Sequence, residues 1–140
     1  MPTRKASAVW NGGLRGGNGS YQGESGLKGA YNFGSRFENA GGSNPEELIA
    51  AAEAACFSMA LSGALEKNGT PATKVETSAA TTVEKGNAGF AITKIALTVR
   101  ATVPNIDKAT FDRLARETKD GCPVSKALKA VPIELQATLT

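Results

Sequence analysis

From Pro45 to about Lys67 the chain runs through helix formers without a break and is apolar on every side, so such a segment needs covering all the way round. Its start is written locally. Asn44 stands at the N-cap, Pro45 at the first helical position where its missing N–H costs nothing, and Glu47 at the third, as in a capping box. Asn68-Gly69, followed by Pro71, supplies the stop. Leu48, Ala52, Cys56, Met59 and Gly63 share one stripe, whereas Ala54, Phe57, Leu61 and Leu65 make the opposite side apolar too. The helix is therefore expected to be buried on all faces, with Cys56 in its deep middle section.

At 140 residues the chain suits one domain, 1–140, whose single core needs no metal or disulfide staple. Histidine is absent, which removes Ser-His-Asp and Cys-His catalytic pairs, His-ligated zinc and a proximal haem ligand. Two cysteines, Cys56 and Cys122, are too few for a four-thiolate zinc or iron–sulfur centre in one chain. Thiol chemistry, carboxylate chemistry or no chemistry remains. The net charge of +3 is scattered and aromatic residues make up only 6%, so nucleic acid is not an expected partner. The longest charge-free stretch, Ala54 to Leu65, falls short of a membrane span of ~20 apolar residues, so no membrane partner is expected. Residues 6–18 lack the apolar centre of a secretory signal, and a cytoplasmic location is the expectation. There, two cysteines are inert core residues or a working redox couple.

Eleven of the sixteen glycines lie between Gly12 and Gly42, interrupted by Ala8-Val9-Trp10, Gly19-Ser20-Tyr21 and Leu27 to Phe33. Short strands joined by glycine turns fit this stretch better than disorder, because Trp10, Tyr21, Tyr31, Phe33 and Phe37 offer apolar surface to bury. The glycines do not form a phosphate loop, since no GK[ST] ending or helix start follows them. Thr73 to Lys85 alternates, and after a turn at 85–89 the apolar face Ile95, Leu97, Val99, Ala101 and Val103 completes a long hairpin. Asp107 caps a helix with the stripe Phe111, Leu114, Ala115 and Thr118, closed by Gly121. Cys122-Pro123 restarts a short helix through about Lys129, and Val131 to Leu139 alternates as a third strand. Grouped, mostly antiparallel strands with helices between the groups specify an α+β fold around a central buried helix.

Taken singly, the two cysteines read differently. Cys56 on an alanine-rich helix is an ordinary small core residue. Cys122, between Gly121 and Pro123, occupies a helix N-cap, where unsatisfied N–H groups favour a thiolate, though a simple cap or turn role accounts for it equally well.

Several segments together resemble the osmotically inducible protein C (OsmC) family of the OsmC/Ohr superfamily. They are Ser35-Arg36-Phe37-Glu38, Ser43 to Leu48, Ala54 to Leu61, Gly89 to Leu97, Ala101 to Pro104 and Gly121-Cys122-Pro123-Val124-Ser125. The similarity covers nearly the whole chain and sits closer to the OsmC branch. It implies an intertwined homodimer with the site at the interface, and a thiol-dependent peroxidase acting on organic hydroperoxides or hydrogen peroxide. By the same resemblance Cys56 is the peroxidatic residue, Cys122 the resolving one, Arg36 the cation beside the reactive sulfur and Glu46 its buttress. An external dithiol is the implied reductant, and no cofactor or metal enters. A redox sensor or small apolar-ligand binder using the same cysteine pair is the alternative, and a purely structural dimeric module a third. Ten residues, a rise of ~15 Å, separate Glu46 from Cys56 on one helix, so either Glu46 is structural or a second chain delivers it.

Overall fold

Aromatic side chains and glycines build the first three strands together. In the computed structural model, which describes residues 1–140, β1 (Ala6–Asn11), β2 (Asn18–Gly23) and β3 (Lys28–Tyr31) form an antiparallel meander in the order β1-β2-β3. Gly19 on β2 pairs with Trp10 on one side and Tyr31 on the other. Their rings close over it, 5.5 Å between centroids, and a Cβ at Gly19 would stand 2.7 Å from the indole and 2.8 Å from the phenol ring. Only glycine leaves room for that ring pair. Next comes a short helix, α1 (Phe33–Phe37), in a stretch expected to be strands joined by glycine turns. Asn32 caps it, accepting from the Ser35 amide at 2.8 Å while the Ser35 hydroxyl accepts from the Asn32 amide at 2.9 Å.

The chain divides into two compact units, Met1–Glu47 and Leu48–Thr140. The long helix α2 (Pro45–Lys67) begins at the end of the first and supplies the core of the second. Its cap is as expected, with the Glu47 amide donating to Asn44 Oδ1 at 2.7 Å. The Glu47 carboxylate, however, accepts from the Ser43 hydroxyl at 3.1 Å.

In the second unit β4 (Lys74–Gly86) and β5 (Gly89–Thr102) form an antiparallel hairpin, with a register shift at Thr82/Val83. The connection from β5 runs through α3 (Lys108–Gly121) and α4 (Pro123–Ala127) before β6 (Ile133–Leu139) returns beside β5. That return is parallel, Ile95 against Ile133 through Ala101 against Leu139, so this sheet is mixed. A parallel neighbour requires a crossover, and the α3–α4 segment provides it. The fold is α+β.

Phe57, Leu61 and Leu65 of α2 pack with Ile95, Leu97, Val99 and Ala101 of β5 and with Phe111, Leu114 and Ala115 of α3. Each fully buried Leu or Phe here contributes roughly 1.5–3 kcal/mol relative to exposure. One expectation is corrected. Within a single chain α2 is not buried all round, because Ala51, Ala52, Ala55 and Met59 are exposed, Met59 at 81%. By length and composition α2 could also cross a membrane. Its buried row Phe57, Leu61 and Leu65 instead serves as the core of this unit.

Candidate active site

Cys122 sits where α3 stops and α4 starts, and it caps both. Its amide donates to the Thr118 carbonyl at 2.9 Å, ending α3, and its sulfur accepts from the Ser125 amide at 3.4 Å, opening α4. Pro123 at the first position of α4 needs no hydrogen-bond partner, which is why Gly121-Cys122-Pro123 can turn the chain so sharply. The Cys122 side chain is buried, at 1% exposure.

Cys56 lies on α2 and meets this corner from the helix side. Its thiol lies near enough to Cys122 and to the backbone amide of Val124, the second residue of α4, for both to act on its protonation. Both thiols are free. Burial pushes the Cys56 thiol up from its ordinary value, the Val124 amide opposes that rise, and contact with Cys122 and the charge of Glu53 add to it. The expected deep burial of Cys56 is corrected within the single chain. Cys56 is only half-buried, and Cys122 is the deeper sulfur.

Glu53 completes the cluster and was missed in the sequence. It is wholly buried, at 0% exposure, and its Oε1 accepts from the Ser125 hydroxyl and from the Cys122 thiol, the latter at 3.7 Å. The Ser125 hydroxyl lies 3.1 Å from the Cys122 sulfur, while Glu53 Oε2 is buried without a hydrogen-bond partner. A signal was present. Glu53, Phe57, Leu61 and Leu65 follow one another at steps of four, the row α2 turns towards the core, so a carboxylate stands where an apolar residue would be cheaper to bury.

The other two expected residues also form a pair, within the first unit. Arg36 on α1 donates from Nε to Oε1 and Oε2 of Glu46 at 3.1 and 3.3 Å and from Nη2 to Oε1 at 3.0 Å. Its guanidinium carbon lies 4.8 Å from the centroid of the Phe37 ring. Glu46 is buried while the Arg36 side chain is 37% exposed. Arg36 thus borders a cleft of about 250 Å³ lined by Trp10, Leu14, Tyr31, Asn32, Phe33 and Phe37. Cys56 pairs with Cys122, and Arg36 with Glu46; each pair is complete within its own unit.

The corner where α3 ends and α4 begins thus brings two free thiols, from α2 and from the turn itself, close together. The family model for OsmC-like protein matches residues 38–136, a span that includes Glu46, Cys56 and Cys122. The chain is 50% identical over 129 residues to Peroxiredoxin OsmC of Escherichia coli (strain K12), covering 91% of this chain and 90% of that protein. It is 32% identical over 97 residues to Organic hydroperoxide resistance protein OhrB of Bacillus subtilis (strain 168), covering 68% and 69%. In fold it is similar to the OsmC-like protein from Mycoplasma pneumoniae, with a TM-score of 0.75 at 15% identity over 99% of this chain and 98% of the other. Matching its sequence across most of its length and its fold across nearly all of it, the chain belongs to the OsmC-like protein family.

Proposed function

We propose that this chain is a thiol-dependent peroxidase that reduces organic hydroperoxides or hydrogen peroxide, with Cys56 as the attacking sulfur and Cys122 as the resolving one. The observation that carries this reading is the proximity of two free thiols supplied by α2 and by the α3–α4 corner. Relative depth supports this division of roles. A peroxide can reach the half-buried Cys56, whereas Cys122 lies behind at 1% exposure. The Cys56 thiolate attacks the O–O bond; that bond breaks, water or an alcohol leaves, and the sulfur becomes a sulfenic acid. Cys122 condenses with it, giving a disulfide and one water, and an external dithiol returns both sulfurs to thiols.

Because burial, Cys122 and Glu53 all hold the Cys56 thiol up, the attacking thiolate needs a cation. Arg36 is the cation of this proposal, fixed in one orientation by its fork onto Glu46. It reaches the sulfur of a second copy, in a homodimer whose interface takes in the exposed Ala52, Ala55 and Met59 face of α2. The aromatic cleft beside Arg36 supports an organic group on the peroxide. Residues 1–140 act in this proposal as one domain in the cytoplasm, whose reducing conditions keep the pair cycling.

Stopped-flow consumption of cumene hydroperoxide with a dithiol tests the reading. Cys56→Ser should abolish turnover, and undiminished turnover in that variant defeats it. The same aromatic cleft favours a second reading, a redox-responsive binder of small apolar ligands, for which oxidation would be stoichiometric and slow.

A further inference from the structure

We infer that Glu53 is the proton acceptor for the Cys122 thiol when the disulfide closes, an inference that rests on the peroxidase reading above. A fully buried carboxylate on the core-facing row of α2 is costly, and nothing in the packing of Phe57, Leu61 and Leu65 requires it. Its position is nonetheless well specified. Oε1 already accepts from the Cys122 thiol at 3.7 Å, and the Ser125 hydroxyl, which donates to the same oxygen, lies 3.1 Å from the sulfur. Ser125 thereby keeps the carboxylate turned towards Cys122. Oε2 has no hydrogen-bond partner, so the carboxyl group can carry a proton without breaking any bond shown.

The step balances without any further reactant. Cys122 passes its proton to Glu53, and the electron pair left on the Cys122 sulfur forms the S–S bond with the sulfenic sulfur of Cys56. The S–O bond breaks, and the departing hydroxide recovers the proton from Glu53 and leaves as water. Glu53 ends as it began. Because it touches the reacting sulfur, it is a catalytic residue of resolution, and on Cys56 it acts only through its charge.

Glu53→Gln separates the two steps. The amide oxygen can still accept from Ser125 and Cys122, but the amide cannot take up a proton. Reduced protein is mixed with one equivalent of cumene hydroperoxide. Sulfenic acid at Cys56 is trapped with dimedone, and the Cys56–Cys122 crosslink is timed by mass spectrometry. The expected result is sulfenic acid formation no slower than in the native protein, crosslink closure slowed roughly a hundredfold, and the dimedone adduct accumulating. Closure at the native rate overturns the assignment. If Glu53→Gln does not fold, Glu53→Asp, which keeps the charge but draws the carboxylate back, should slow closure alone; unchanged closure overturns the inference equally. A native protein that forms neither sulfenic acid nor crosslink overturns the peroxidase reading as well, so the two failures are told apart in the first control.

Discussion

Arg36 grips Glu46 through Nε and Nη2, and Nη1 takes no part in that fork. The buried carboxylate fixes the plane of the guanidinium and leaves one edge for another oxygen. A lysine, as a point charge on a flexible stem, cannot reproduce this. Arg36→Lys should lower kcat/KM for cumene hydroperoxide roughly tenfold while leaving the thermal midpoint nearly unchanged. Steady-state kinetics measures it, and equal activity would show that the fork is only structural.

The environment of Cys56 predicts a pH dependence. Burial first, then Cys122 and Glu53, disfavour its thiolate in the folded state, with the Val124 amide in opposition. A thiol whose folded pKa is raised favours the fold while protonated, so its stabilisation is full below the unfolded pKa and is lost as pH rises through the folded one. Urea midpoints of the reduced protein should therefore fall on going alkaline, less steeply in Cys56→Ser. If Arg36 opposes the burial of the thiolate, iodoacetamide labelling of Cys56 should need higher pH in Arg36→Met than in the native protein. An identical labelling profile would remove Arg36 from the site.

The two sides of α2 should respond in opposite ways. Leu61 is wholly buried in the core, and Leu61→Ala should cost about 2–5 kcal/mol in urea denaturation. Met59 is 81% exposed in the single chain, and Met59→Glu should leave the core intact but convert a dimer into single chains in sedimentation velocity. A dimer that survives this change would place the interface elsewhere.

Where a pattern repeats over several turns or strand positions, the chain could be read directly. The stripe Phe111, Leu114, Ala115 and Thr118 of α3 is the set the structure buries, and Ile95, Leu97, Val99 and Ala101 of β5 face inward as their alternation requires. The helix α1 escaped because five residues including Gly34 carry no period, and its only signal is the Asn32 to Ser35 capping box.

What the residues determined by themselves was local: where α2 starts and stops, which faces of α3 and β5 are apolar, and that the absence of histidine rules out the His-based catalytic pairs and metal sites. The depth of each cysteine, the parallel placement of β6 and the burial of Glu53 belong to the tertiary structure. Caps and periodicity act over a few residues, so they are visible in one segment. Which side of an evenly apolar, alanine-rich helix turns inward depends on the sheet and helices that close over it, and those are set by segments far away in the chain.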